Sequence, residues 1–122
     1  MAASKTILFL EDPSLLMPEK ITLSKIPVLF EDDTVIVLDK PAGLLTLPDR
    51  WNHDAENLLH FLKDKYGDIF PVHRLDKETS GAILFAKDAE RHKILSLAIQ
   101  ERRVVKKYLA LITGTPKERH GT

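Results

Sequence analysis

The chain has 122 residues, enough for one domain, whereas two would each fall near the lower limit for a self-supporting core. With 43% apolar and 30% charged residues and no cysteine, it is neither disordered, fibrous nor disulfide-stapled, and thiol nucleophiles and Cys-ligated metals are excluded. The balance of 18 Lys+Arg against 18 Asp+Glu argues, at first sight, against a nucleic-acid partner.

The seven prolines punctuate the chain, and the first three cut residues 1–27 into pieces too short for a core. That stretch reads as an N-terminal extension with one strand at Thr6–Leu10. The start does not read as a secretory signal, and apolar runs such as 35–38 and 82–86 are too short to cross a bilayer; a cytoplasmic location with no membrane partner is expected.

Val28–Phe30, the acidic turn Glu31-Asp32-Asp33 and Thr34–Leu38 predict a β-hairpin rich in β-branched residues. Lys40-Pro41-Ala42-Gly43 is a turn, because Pro41 donates nothing to a sheet and Gly43 accepts positive φ. Leu44 to His53 reads as an irregular loop. Its Trp51, beside Arg50, is read as an anchor packed on the core, with stacking on a base as the alternative.

Asp54 is the expected N-cap of a helix carrying Leu58, Leu59, Phe61, Leu62 and Tyr66 at helical spacing, ended by Gly67. Capping and solvated polar faces account for His53, Glu56 and His60 without a metal. Ala82–Ala86 suits a buried strand. Asp88 caps a second helix running to about Arg102, with Ile94, Leu95, Ala98 and Ile99 on its apolar stripe. Lys107–Thr113 predicts a further strand, and residues 115–122 a polar tail. His92 and His120 read as surface residues. The class is α+β, a mixed, mainly antiparallel sheet with two flanking helices in a domain spanning 28–114.

One stretch concentrates chemistry: Pro71-Val72-His73-Arg74-Leu75-Asp76-Lys77-Glu78-Thr79-Ser80-Gly81. Arg74 and Lys77 flank Asp76, and a cation within a few ångströms keeps a carboxylate ionised. Thr79 and Ser80 are suited to satisfying the loop's own amides, and Gly81 lets the chain leave a tight bend. A rigid polar loop presenting one carboxylate suits a nucleophile or a general base. A solvated turn with charges on it has the same composition.

His73-Arg74-Leu75-Asp76-Lys77-Glu78-Thr79-Ser80-Gly81 resembles the signature loop of RluA-type pseudouridine synthases, in which a single aspartate is catalytic. Asp39-Lys40-Pro41-Ala42-Gly43-Leu44-Leu45 resembles that family's first motif. Val105-Lys106-Lys107-Tyr108-Leu109-Ala110-Leu111 resembles a later one, whose tyrosine lies near the target base. The likeness covers about residues 27–114. It implies isomerisation of uridine in ribosomal or transfer RNA to pseudouridine, with neither cofactor nor metal.

By the same resemblance Asp76 is the catalytic carboxylate, a nucleophile on sugar or base or a base at the ribose 2′ position. Arg74 helps extrude the flipped nucleotide and pairs with Asp76, and Tyr108 stacks on the uracil. His73, Lys40, Pro41, Thr79, Ser80 and Gly81 support the loop. In the run Arg102-Arg103-Val104-Val105-Lys106-Lys107, a solvated helix end and phosphate contact by Arg103, Lys106 and Lys107 are alternative readings.

The family's catalytic domain continues beyond this length, with more strands and a third motif supplying a basic partner for the aspartate. The chain is therefore expected to be the N-terminal half of a synthase, with an unpaired sheet edge that favours self-association. The alternatives are an RNA-binding fragment without activity of its own and a small carboxylate-dependent hydrolase. Charge distribution agrees with an RNA-facing surface. Residues 1–70 hold seven Lys+Arg against twelve Asp+Glu, and residues 71–122 eleven against six.

Overall fold

The computed structural model describes residues 20–121. The strand expected at Thr6–Leu10 lies outside these residues. A short 3-10 turn at Leu23–Lys25 leads into strand β1 (Val28–Glu31) and strand β2 (Val35–Lys40). Helix α1 (Leu58–Tyr66), strands β3 (Phe70–Pro71) and β4 (Gly81–Ala86), and helix α2 (Ala89–Gln100) follow. The four strands form one sheet in the order β1-β2-β4-β3, every pairing antiparallel. This is the expected α+β arrangement of an antiparallel sheet with two helices.

The hairpin turn is fixed by Asp32, whose carboxylate accepts from the amides of Thr34 at 2.7 Å and Val35 at 2.8 Å. These bonds hold the carboxyl below its usual range. β2 and β4 pair in register along their whole lengths, Val35 opposite Ala86 through Lys40 opposite Gly81. Strand alternation sends Ile36 and Leu38, with Ile83 and Phe85, to one face. There they form a core with Leu58 and Leu62 of α1, Ile26, Leu44, Ile69 and Leu75.

α1 begins three residues later than expected. Asn57, not Asp54, is its N-cap, the side chain accepting from the His60 amide at 2.9 Å. Residues 52–55 are instead taken up by a local turn, in which the Ala55 amide bonds the Asn52 carbonyl at 3.2 Å. Asn57 also bridges to Leu45, which binds the helix start to the preceding loop. Gly67 ends the helix at φ +73° and ψ −117°, backbone angles that glycine adopts without a Cβ clash.

Asp88 caps α2 as expected, accepting from the Arg91 amide at 2.7 Å. The helix stops at Gln100, short of Arg102. Arg102 adopts a positive φ of 57°, and the Arg103 amide reaches back to the Ala98 carbonyl at 2.9 Å. The apolar stripe of α2 is only partly covered: no residue of the helix is buried, and Ile94 and Leu97 are exposed. His92 is half-buried rather than fully at the surface. Its ring lies 5.5 Å from that of Phe70 and its Nε2 3.1 Å from the Pro71 carbonyl oxygen.

The strand expected at Lys107–Thr113 does not form. The segment is exposed, with Leu109 and Leu111 in solvent, and pairs with no strand among the described residues. Apolar, β-branched composition suits a sheet, but a strand exists only where a ladder receives its backbone groups. β3 was not anticipated: two residues, one of them proline, carry no periodic signal, and the edge of the sheet is where proline is tolerated.

Candidate active site

The loop between β3 and β4 is held from below by three contacts. Lys40, at the end of β2 and fully buried, donates from Nζ to the carbonyls of Pro41 at 2.9 Å, Leu44 at 2.5 Å and Lys77 at 3.1 Å. Three donors meet three acceptors, so the buried ammonium is fully satisfied. Burial pushes its pKa down, against the opposing pull of the Glu78 and Asp76 carboxylates.

Gly43 makes the second contact. It sits at φ +90° and donates its amide to the same Lys77 carbonyl at 2.7 Å. The Lys40–Gly43 turn and the Asp76 loop therefore meet on one oxygen. Thr46 makes the third contact. Its buried hydroxyl donates to the Leu75 carbonyl at 2.8 Å and accepts from the Leu75 amide at 3.2 Å. Leu75 itself is anchored in the core, and a turn closes the loop as the Thr79 amide reaches the Asp76 carbonyl at 3.0 Å.

With Leu75 pinned, its exposed neighbours Arg74 and Asp76 both border an open cleft of about 520 Å³. Lys77, Arg50 and Trp51 share that cleft. No ion pair joins Arg74 to Asp76 among the described residues, contrary to the expected pairing. Both are exposed, and water solvates each about as well as the other would.

Trp51 departs furthest from expectation. It is 92% exposed rather than packed on the core. Core positions nearby are already filled by Leu44 and Leu58, and Asp49 holds the Trp51 amide at 2.8 Å in a turn that carries the indole outward. Trp51, Arg50 and Thr46 are the residues around this loop that sequence reasoning did not assign to it. The polar neighbours Asp49, Arg50 and Asn52 were the available signal for an exposed indole.

His73 continues the sheet by a side chain. Where β3 ends, its Nε2 accepts the Leu84 amide of β4 at 3.1 Å. The neutral ring therefore carries its proton on Nδ1, which is buried and without a hydrogen-bond partner. Burial first, and the charge of Lys106 second, hold its pKa below 6.5.

A second cavity, of about 580 Å³, lies on the face of the sheet away from the core, between Val37, Leu84 and Ile99 and the extended segment 104–109. His73, Lys106, Lys107 and Tyr108 border it, and Asp76 does not. Leu75 borders both cavities. Arg74 and Asp76 thus line the first cavity and Tyr108, Lys106 and Lys107 the second, and the loop that carries Asp76 contributes His73, Leu75, Ser80 and Gly81 to the second as well. Arg103 lies outside both, its Nε 2.8 Å from the Glu101 carboxylate. The cation run is not a helix end, since α2 has stopped at Gln100.

His53 and Glu56 line a different, open hollow beside α1, where His60 stands 3.6 Å from Asp64. No group of three or more His, Asp or Glu among the described residues is placed to hold a metal ion. No helix among them is long and apolar enough to cross a membrane.

Comparison with known proteins places these motifs. The RNA pseudouridylate synthase family matches residues 34–122. A ribosomal large subunit pseudouridine synthase C from Rickettsia bellii is 38% identical over 120 residues, 98% of this chain and 39% of that protein. A tRNA pseudouridine synthase C from Haemophilus ducreyi is 38% identical over 93 residues, 74% of this chain and 38% of that protein. The chain thus spans about two-fifths of the length of these relatives. Human RNA Pseudouridylate Synthase Domain Containing 1 shares the fold, with a TM-score of 0.55 at 20% identity over 70% of this chain and 32% of that one.

Proposed function

The chain belongs to the RNA pseudouridylate synthase family, and from that premise we propose that it carries the catalytic aspartate of an enzyme converting uridine in RNA to pseudouridine. Asp76 is that carboxylate. The observation that supports this most directly is its setting: an exposed carboxylate in an open cleft, on a loop braced by Lys40, Gly43 and Thr46.

In the reaction the bond between uracil N1 and ribose C1′ breaks, and the uracil turns. C5 then bonds to C1′, and the proton displaced from C5 is transferred to N1 or solvent, so that product and substrate are isomers. Asp76 acts either as a nucleophile on sugar or base or as a base at the ribose 2′ position. Lifting the target base from its stack costs a few kcal/mol. Arg74, exposed beside Asp76, is positioned to occupy the space the base leaves. Lys106, Lys107 and Arg103 serve the RNA phosphates, and their contribution declines steeply with salt.

Ribosomal and transfer RNA are both substrates of the relatives named above, and the proposal extends to either. It is tested by incubating the chain with unmodified cellular RNA and mapping pseudouridine, for the wild type and Asp76→Asn. Product with the wild type and none with the Asn variant is expected; equal product from both removes Asp76 from its role.

One observation favours a second reading, RNA binding without catalysis by these residues alone. Tyr108 lines a different cavity from Asp76, and the segment that carries it pairs with no strand among the described residues. RNA binding with no product from either protein supports that reading.

A further inference from the structure

The only tryptophan of the chain is also among its most exposed large side chains. An indole left in water forgoes the stabilisation that burial brings, so its exposure is informative when the backbone beneath it is fixed. Here it is fixed. Leu44 is buried, Leu45 bridges to Asn57, Thr46 is bonded twice to Leu75, and the Trp51 amide is bound by Asp49 at 2.8 Å.

The surroundings are specific too. Trp51 shares the Asp76 cleft with three cations, Arg50, Arg74 and Lys77, against two carboxylates, Asp76 and Asp49, the second of which accepts the Trp51 amide, so that aromatic area and a surplus of positive charge meet beside Asp76. Guanidinium and ammonium groups bind phosphates, and an indole offers a flat face to any base. Together they form the combination by which single-stranded nucleic acid is held. An acidic peptide would use the cations and leave the indole without a planar partner.

We propose that Trp51 is an RNA-positioning residue, stacking on a nucleobase adjacent to the uridine presented to Asp76, while Arg50 contacts the backbone phosphate of that neighbour. This rests on the reading of Asp76 given above and assigns the same cleft a second base. The indole keeps the flanking strand in place while the target nucleotide is extruded, and stacking tolerates any of the four bases. Trp51 thus sets affinity and register more than sequence preference.

Because Trp51 is the sole tryptophan, its emission reports on the proposed contact directly. A labelled single-stranded RNA containing one uridine is titrated into the chain, with binding read by anisotropy and the indole by fluorescence. Quenching that saturates together with binding is expected. Trp51→Ala weakens binding by about 5- to 150-fold and Trp51→Phe by no more than about threefold, the range for loss or retention of one base stack. The urea midpoints of both variants stay at the wild-type value, since the side chain is almost wholly exposed and loses little burial. With an abasic residue at the stacked neighbour, the Trp51→Ala effect disappears.

Unchanged emission at saturating RNA overturns the inference, as does a Trp51→Ala effect that survives abasic replacement on both sides of the uridine. Tighter binding and stronger quenching by an acidic peptide than by RNA also overturns it. The two readings fail separately. Quenching without pseudouridine leaves the stack standing and removes catalysis; pseudouridine without quenching does the reverse; failure to bind RNA removes both.

Discussion

Replacing Lys40 by methionine tests the brace under the Asp76 loop. The variant keeps an unbranched chain of similar length and loses all three donated hydrogen bonds. The three acceptors do not suffer equally. The Lys77 carbonyl retains the Gly43 amide at 2.7 Å. The Leu44 carbonyl, whose bond is buried, loses its donor and takes the full cost of an orphaned acceptor, about 1–3 kcal/mol. The Pro41 carbonyl is partly accessible and recovers some of its loss from water.

Against these losses, a thioether needs no desolvation of charge, which returns part of the sum. The net destabilisation expected is about 2–4 kcal/mol. Urea unfolding followed by circular dichroism reads it as a midpoint lowered by more than about 1 M, given a slope of about 1–2 kcal/mol per molar. Hydrogen exchange at the Gly43 amide should accelerate as well, because the turn and the Asp76 loop then share one bond where they had two. A Lys40→Met protein with the wild-type midpoint and unchanged Gly43 exchange would refute the reasoning, and with it the role of Lys40 as the brace.

The histidine at the end of β3 gives a pH dependence with a definite sign. The folded pKa of His73 is lowered, so between that value and 6.5 the unfolded chain binds the proton more readily. Its contribution to stability is complete above about pH 6.5 and is lost as pH falls below it; a His73→Gln variant should show a flatter profile in urea midpoints across this window, and stability rising on acidification there would contradict the assignment. The cap of α1 separates two neighbouring residues. Asn57→Ala should cost about 0.5–2 kcal/mol in thermal or urea unfolding and Asp54→Ala almost nothing, whereas the reverse order would return the cap to Asp54.

Much of this was legible because it is local. The acidic residues between two β-branched runs specify the β1–β2 hairpin, and Asp88 ahead of an apolar stripe specifies the start of α2. Gly67 marks the end of α1 because few other residues accept its φ. The cap of α1 was misplaced because Asp54 and Asn57 are both good caps. The choice fell to Leu45, whose bridge holds Asn57 in the extended conformation a cap requires. The helix end near Arg102 was overextended because Arg102 is a good helix former, and its positive φ arises from the reach of Arg103 back to Ala98.

The sequence by itself determined the family, through one nine-residue loop and two supporting motifs in order. It also determined the α+β class, and it singled out Asp76 as the carboxylate for the chemistry proposed here. Side-chain type and spacing are sufficient for those, because they express local backbone preferences and an intrinsic reactivity. Only the tertiary structure decided what each group faces. It buried the Lys40 ammonium beneath the loop and turned Trp51 outward into the Asp76 cleft. It also placed Tyr108 in a cavity beside Val37 and Leu84 and left 107–113 unpaired among the described residues. Each depends on contacts between residues far apart in the chain, and an apolar or aromatic side chain is compatible with a core, a strand or a binding surface until its partners are in place.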